Sequence, residues 1–268
     1  AVGNQEVLTA NFTYKAHWVG MKNGAARTEL LTAHTPLRNP KVALGLCAVH
    51  DAIGGWNNTG VFVDYGYRIN LGSNKLSFGL QAGIEGNSLK VSLRDDQFDK
   101  AFNNENLNQY LPNFGTGVYF YSKQYWAGFS MPEILYYKSK ESGKYGMTLD
   151  MNKSEYIVSG GGRFHVSGRI VVESAALIRI CPASRVSFTI LGTAVYNRVL
   201  KASLGYRSGE NALIILLNYQ INRQFSLGYG YDATLFGSIN SAGSSGSHEI
   251  NINYRFGYKV NASDPRNF

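Results

Sequence analysis

Histidine, serine and carboxylate side chains are the groups through which this chain could perform hydrolytic or metal chemistry. The five histidines are His17, His34, His50, His165 and His248. None lies in an HExxH motif or in another spacing that brings two imidazoles to one metal ion. The tripeptide Ser247-His248-Glu249 supplies a nucleophile, a base and an orienting acid. Whether those three can act together depends on the element that carries them.

The residues around His248 alternate between polar and apolar, which predicts a β-strand. Adjacent side chains on a strand point to opposite faces, so Ser247, His248 and Glu249 cannot converge. An active site would then require residues distant in sequence that meet across the interior. No helix pattern follows Gly160-Gly161-Gly162, so we interpret this triplet as curvature of a sheet and not as a phosphate cradle. We therefore expect no enzyme activity, no metal and no cofactor.

Strand-like alternation extends from Glu6 to Lys259 and defines about fourteen runs. In one run Val61, Val63, Tyr65, Tyr67, Ile69 and Leu71 alternate with Asp64, Gly66, Arg68 and Asn70. In the next, Leu76, Phe78, Leu80, Ala82 and Ile84 alternate with Ser77, Gly79, Gln81, Gly83 and Glu85. A slip of one residue would place Arg68 and Glu85 on the apolar face. Such a run is long enough for one tilted membrane crossing, which needs roughly 9–11 residues.

The connectors between the runs alternate in length. Tight turns contain Arg38-Asn39-Pro40, Gly72-Ser73-Asn74, Ser122-Lys123, Ser167-Gly168, Tyr196-Asn197 and Asn222-Arg223. Long polar loops run from Asp95 to Pro112, from Pro132 to Lys153 and from Gly237 to Ser247. The long loops fall on odd-numbered junctions and the tight turns on even ones, as in a barrel with one short-turn end and one long-loop end.

These patterns predict an all-β protein that forms a single transmembrane antiparallel β-barrel of about 14 strands. Residues 1–268 form one domain, with strands from about residue 5 to 260 and a short polar tail at 261–268. We expect both termini and the short turns to be periplasmic and the long loops to be extracellular. The predicted location is the bacterial outer membrane, in contact with its lipid and lipopolysaccharide. Because no signal peptide precedes Ala1, the sequence is expected to be a mature or trimmed form.

A soluble antiparallel sandwich is the main structural alternative, because its sheets also have one apolar and one polar face. Three features favour the membrane barrel: strands that are long against the usual roughly 5–6 residues, tyrosines near strand ends, and the alternation of loop length. No run of 18 or more apolar residues exists, which excludes a helical membrane protein.

Charged residues on the polar register are predicted to face the barrel interior. They are Asp64, Arg68, Glu85, Arg163, Glu173, Arg179, Lys201, Arg207, Asp232, Glu249, Arg255 and Lys259. Both signs occur, so the interior is either a selective pore lining or a largely filled, salt-bridged core. Large inward side chains at Tyr119, Tyr121 and Trp126 favour the filled interior.

The formal net charge is +8. The basic residues are distributed over turns and loops, and no nucleic-acid motif is present, so we expect no nucleic-acid partner. Anionic lipid headgroups or a periplasmic protein are the expected partners of this charge.

Several fragments, in this order and spacing, resemble the PorP/SprF family of the type IX secretion system. They are the segments 34–37, 60–69, 76–80, 112–117, 127–132, 204–208, 228–232 and 246–250. The resemblance covers nearly the whole chain. It implies an outer-membrane barrel of Bacteroidota that serves protein export and, in some members, gliding motility. It also implies partners among other secretion-system proteins on the periplasmic side and a secreted adhesin or cargo C-terminal domain at the surface.

We interpret the long loops as the docking surface for such a cargo because they combine aromatic and charged residues. Those residues are Phe98, Phe102, Tyr110, Tyr136, Tyr137 and Lys138. An outer-membrane diffusion channel for small solutes is the alternative function. Steady ion conductance in a planar bilayer would distinguish that channel from a docking barrel.

Overall fold

A computed structural model describes residues 7–21, 26–89, 109–139, 145–183, 186–236 and 244–257. Fourteen strands form a closed antiparallel barrel, and two further strands form a separate hairpin. The barrel strands are β1 (Thr9–Ala16), β2 (Arg27–Pro36), β3 (Val42–Ile53), β4 (Trp56–Leu71), β5 (Asn74–Leu89), β6 (Gln109–Tyr121), β7 (Tyr125–Met131), β10 (Tyr156–His165), β11 (Ile170–Ile180), β12 (Ser187–Tyr196), β13 (Leu200–Arg207), β14 (Ala212–Gln220), β15 (Phe225–Thr234) and β16 (Ser247–Arg255). The hairpin strands are β8 (Leu135–Ser139) and β9 (Tyr145–Leu149). The predicted all-β barrel of about 14 strands is confirmed.

The barrel is closed by its first and last strands. β1 pairs with β16 over its whole length, from Thr9 opposite Arg255 to Ala16 opposite His248. On its other side β1 pairs with β2, where Thr9 lies opposite His34. Every strand of the described barrel therefore has a hydrogen-bonded neighbour on each side, so none of these strands is an edge strand of an open sheet.

The apolar register of the long strands faces outward. On β4, Val63 is 55% exposed whereas its neighbour Phe62 is 6% exposed and points inward. On β5, Leu80 is 61% exposed. Strands of 16 residues at β4 and β5 with an exposed apolar face are unstable in water and suit a hydrocarbon solvent. The chain therefore does not form the two stacked sheets of a sandwich, in which Val63 and Tyr65 would lie in a dry core.

The two ends of the barrel differ as the sequence predicts. Six short turns, at 37–41, 72–73, 122–124, 166–169, 197–199 and 221–224, lie together at what we call the tight-turn end. The barrel also begins and finishes here, since the Phe256 N–H donates to the Leu8 carbonyl at 2.9 Å. The opposite, loop end carries the connections at 90–108, 132–155 and 235–246. Two loop-end junctions are short: residues 208–211 join β13 to β14, and only Gly54 and Gly55 join β3 to β4, where Gly54 has a left-handed φ of 58°.

The predicted loop from Pro132 to Lys153 is not a featureless loop, because it contains the β8–β9 hairpin. Leu135 lies opposite Leu149, and Ser139 lies opposite Tyr145. The predicted loop ending at Pro112 is likewise shorter, since β6 already begins at Gln109. The hairpin could not be predicted from periodicity, because its strands have 5 residues each and short runs carry little periodicity.

Inward glycines bring neighbouring strands and side chains together in the wall formed by β4, β5 and β6. Gly66 lies opposite Gly79, and Gly79 lies opposite Gly117. The Phe62 ring lies over Gly83, where an added Cβ would be 2.3 Å from a ring carbon. A side chain at Gly83 would therefore displace this aromatic ring from the lumen wall.

Among the described residues, no helix is long and apolar enough to span a bilayer.

Candidate functional site in the charged lumen and the loop-end hairpin

A buried ionic cluster lies inside the barrel towards the loop end. Lys15 Nζ of β1 lies 2.5 Å from Asp232 Oδ2 of β15 and 3.9 Å from Glu249 Oε2 of β16. Arg207 Nη1 of β13 lies 2.9 Å from the same Asp232 oxygen and 3.3 Å from Glu210 Oε2. One carboxylate thus joins two cations from different strands, which compensates the desolvation of all three groups.

His17 lies just beyond β1, close to this cluster. Its Nε2 is 3.2 Å from Thr28 Oγ1, and the Thr28 hydroxyl donates to Asp51 at 2.6 Å. Burial, together with the nearby Lys15 ammonium, lowers the pKa of His17 from its ordinary value. The neutral form of the imidazole is consequently favoured over the imidazolium at this position.

A second ion pair lies on the inner wall near the tight-turn end. Arg163 of β10 donates from Nε to Glu173 Oε1 at 2.8 Å and also from its Nη2. These two residues are direct cross-strand neighbours. They line an internal cavity of about 360 Å³ that also contacts Trp126, Lys201 and Arg255. The lining of this cavity is therefore net positive.

Asp64 and Arg68, two more residues of the predicted lumen set, lie on the polar register of β4. Asp64 accepts a hydrogen bond from Gln81 Nε2 at 2.9 Å. Arg68 is 6% exposed, lies 6.0 Å from the Tyr121 ring and donates to the Pro40 carbonyl at 3.4 Å.

Four further residues of this predicted set differ in what surrounds them. Arg179 Nε lies 3.5 Å from Glu155 Oε1, and Lys259 lies outside the described residues. Glu85 lies opposite Gly60 and Leu111 on the inner register. Arg255 Nε is buried without a hydrogen-bond partner among the described residues. Sequence reasoning did not single out Lys15 or Glu210, although Thr9, Asn11, Thr13 and Lys15 form a clear polar register on β1.

The β8–β9 hairpin is held against β6 by polar contacts at its base. Asn113 Oδ1 accepts hydrogen bonds from the backbone N–H groups of Ile134 and Leu135, at 3.2 and 3.1 Å. The Tyr137 hydroxyl donates to the Pro112 carbonyl. The Lys153 ammonium lies 4.0 Å from the centre of the Tyr136 ring. These contacts fix the direction in which the hairpin leaves the barrel.

The predicted docking residues thus fall into three groups. Tyr110 is 78% exposed but lies within β6, and so not in a loop. Tyr136, Tyr137 and Lys138 lie on β8, with Lys138 opposite Gly146. Phe98 and Phe102 lie outside the described residues. The hairpin adds Met147 and Leu149, which are 64% and 62% exposed and which the sequence did not point to.

The Ser247-His248-Glu249 tripeptide is spread over both faces of β16. Ser247 is buried, and its Oγ accepts a hydrogen bond from the Trp18 N–H at 3.1 Å. His248 Nδ1 is instead 2.7 Å from the Tyr229 hydroxyl on the outward register. The three side chains therefore do not form a nucleophile, base and orienter. Among the described residues, no group of three or more His, Cys, Asp or Glu side chains is arranged to hold a metal ion.

The match to a family decides the wider assignment. A family described as "Type IX secretion system membrane protein PorP/SprF" matches residues 1–254. The chain belongs to the PorP/SprF family. As a PorP/SprF protein with a closed β-barrel it is an outer-membrane component of type IX secretion. A comparison with curated proteins gives no match.

Solved structures similar to this PorP/SprF barrel include a transporter, a channel and an outer-membrane protein. The toluene transporter TbuX of Ralstonia pickettii is 10% identical, with a TM-score of 0.54 over 94% of this chain and 90% of that one. The CymD monoaromatic hydrocarbon channel is 11% identical, with a TM-score of 0.53 over 95% and 90%. Omp33 of Acinetobacter baumannii is 8% identical, with a TM-score of 0.49 over 94% and 100%. At these identities the first two support the barrel fold alone.

Proposed function

We propose that this PorP/SprF barrel docks a secreted cargo domain at its loop end and contacts other secretion-system proteins at its tight-turn end. On this proposal the loop end is extracellular, the tight-turn end and both termini are periplasmic, and the barrel is a scaffold and not an enzyme. The observation that carries the proposal is the β8–β9 hairpin, a rigidly anchored two-stranded sheet beyond the barrel with exposed apolar side chains.

The hairpin has the properties of a protein-binding surface. Met147 and Leu149 lie two residues apart on β9 and therefore project from the same face. Exposed methionine and aliphatic side chains beside a polar rim are characteristic of the buried centre of protein interfaces. Among the described residues, β9 pairs only with β8. The other edge of β9 could therefore form hydrogen bonds with a strand of the cargo.

The interior supports a scaffold more than an open passage. Its charges pair with one another at two depths, through Asp232 near the loop end and through Glu173 near the tight-turn end. Ion pairs across neighbouring strands stiffen the wall and fill part of the bore. A stiff barrel holds the hairpin at a fixed angle above the membrane surface.

Cell-surface display of a type IX cargo tests the proposal. The chain is replaced in its own host by a variant with Met147→Asn and Leu149→Asn, and cargo display is measured by immunolabelling of intact cells. We expect display to fall severalfold while the barrel remains in the outer membrane at normal abundance. The matched control is Thr148→Asn, which lies on the same strand but on the opposite face. Normal display by the double variant would overturn the docking role.

Site-specific crosslinking tests the periplasmic half of the proposal. A photoreactive residue at position 73, in the β4–β5 turn, which carries no charged side chain, should capture a secretion-system protein of the periplasm. The same residue at position 147 should capture cargo instead. Capture of cargo from the turn position would reverse the proposed orientation.

A further inference from the structure

The tight-turn end of the barrel carries a ring of exposed cations, and these cations form no ion pair with an acidic side chain in the part of the chain that the structure describes. Five of its six turns contain at least one lysine or arginine, and these residues are Arg38, Lys41, Lys123, Arg169, Arg198 and Arg223. All of them are exposed. The six turns contain no aspartate or glutamate. We call these six side chains the turn cations.

The acidic residues of the described segments lie almost entirely elsewhere. Nine of them are at or near the loop end, namely Glu29, Asp51, Glu85, Glu133, Asp150, Glu155, Glu210, Asp232 and Glu249. Asp64 lies in the middle of β4. Glu173 is the one acid within four residues of a tight turn, and it faces the lumen, where it pairs with Arg163. Within the described residues, the turn cations therefore have no acidic neighbour in an ion pair. The positive charges of these side chains can therefore attract an anionic partner.

The turn cations lie at the border of the lipid-facing surface. Arg169 is flanked by Val166 and Ile170, and Arg198 by Tyr196 and Val199, all of which are exposed large apolar side chains. Ile221 beside Arg223 repeats the arrangement, whereas Lys123 also lines the cavity near the tight-turn end. An aromatic and aliphatic girdle next to cations is the pattern of residues at the level of lipid headgroups, where long basic side chains reach towards phosphates.

We propose that the turn cations bind the phosphate headgroups of anionic phospholipids in the leaflet at the tight-turn end. The ring would gather several such lipids around the barrel and fix its depth in that leaflet. Charge complementarity and continuity with the apolar band favour lipid over a soluble acidic protein, which would not need the adjoining girdle. The inference does not depend on cargo docking.

Spin-labelled lipids measure this preference directly. The full chain is reconstituted in phosphatidylcholine vesicles that contain spin-labelled phosphatidylglycerol or spin-labelled phosphatidylcholine. The motionally restricted fraction of each label gives a relative association constant. We expect phosphatidylglycerol to be preferred, and the triple variant Arg169→Gln, Arg198→Gln, Arg223→Gln to weaken that preference by about tenfold or more.

The matched control removes cations that already have acidic neighbours. Arg27 Nε lies 4.0 Å from Glu29, and Arg179 Nε lies 3.5 Å from Glu155. The variant Arg27→Gln, Arg179→Gln should leave the preference close to that of the unmodified protein. A preference that survives the turn variant, or that falls equally in the control, would overturn the proposal.

Two further arms keep the test independent of how well the variants fold. With the unmodified chain, raising NaCl from 50 to 500 mM should reduce the preference, because exposed charges are screened. Adding free inorganic phosphate at matched ionic strength should not reduce it further if the site binds headgroups at the bilayer surface. Competition by free phosphate would mean a general anion site, and a salt-independent preference would mean recognition without the turn cations. Either result would overturn the lipid assignment.

Discussion

The Lys15 ammonium of β1 lies 2.5 Å from a carboxylate oxygen of Asp232 on β15, although 217 residues separate them in sequence. The contact passes across β16, which lies between these strands in the barrel. It therefore fastens the first strand to the second-last one, at the seam where the two ends of the sheet meet.

Asp232→Asn should be strongly destabilising. The Asp232 side chain is 5% exposed and neutralises both Lys15 and Arg207, so its loss leaves two inward cations with weaker partners. We expect the free energy of unfolding to fall by about 3 kcal/mol, measured by urea titration of tryptophan fluorescence in detergent. Adding Lys15→Met to Asp232→Asn should restore part of the loss. An unchanged midpoint for Asp232→Asn would contradict this account of the seam.

The Arg163 and Glu173 pair should contribute less. Its side chains are about a quarter exposed to the solvated lumen, where Coulomb attraction is screened. Glu173→Gln is expected to cost about 1 kcal/mol or less in 50 mM salt and almost nothing in 1 M salt. A loss equal to that of Asp232→Asn would show that the tight-turn part of the lumen is as dry as the loop-end cluster.

Leu80→Arg and Gln81→Lys test the direction of the two registers. Leu80 points outward near the middle of β5, so an arginine there enters hydrocarbon and should cost about 2–4 kcal/mol in lipid vesicles. Gln81 points inward and already bonds Asp64, so a lysine can pair with that carboxylate. The inward variant should therefore fold into vesicles with nearly normal stability. Equal costs at both positions would be inconsistent with lipid outside and solvated side chains inside.

Stability below neutral pH should depend on His17. Its folded pKa is lowered, so the unfolded chain binds a proton at His17 more readily than the folded one. This term lowers the free energy of unfolding as pH falls through the ordinary value of 6.5 and towards the lower folded pKa. His17→Gln should give a smaller loss between pH 7.5 and pH 5.5. The carboxylates titrate in both proteins, so parallel stability curves would show that His17 is not the titrating group.

Planar-bilayer recordings should show little current from the unmodified barrel. Arg163 and Arg255 both reach the cavity near the tight-turn end, which narrows a bore that is already smaller than that of larger porins. The double variant Arg163→Ser, Arg255→Ser should raise the conductance. Steady conductance by the unmodified chain would favour the diffusion channel over the docking scaffold.

Periodicity predicted the wall of the barrel but not what connects its parts. Val61 to Leu71 shows a strict dyad because lipid and lumen select opposite side chains along β4. The hairpin strand at Leu135–Ser139 experiences no such two-sided solvent, so its sequence lacks the dyad. Periodicity also did not reveal that the turn cations lie together at one end of the barrel. Arg38 and Arg223 are far apart in the chain and share one end only after the sheet has closed.

The contacts of the candidate site were predictable in part. The direct cross-strand pair of Arg163 and Glu173 joins two neighbouring runs linked by a tight turn, so strand alternation alone brings it together. The contact of Lys15 with Asp232 crosses an intervening strand. Its prediction would require the stagger of the closed sheet, which alternation within one strand does not reveal.

Pairing of β1 with β16 also constrains the order of events during insertion. β16 has 9 residues and is the last strand of the described barrel, yet it supplies one side of the seam. A folding barrel that lacks β16 has two open sheet edges, and the hydrocarbon of the bilayer offers their backbone groups no hydrogen-bond donors or acceptors. The barrel therefore cannot close before β16 has paired with β1. Until then, the backbone N–H and C=O groups at the two open edges of the sheet need hydrogen-bond partners from another protein.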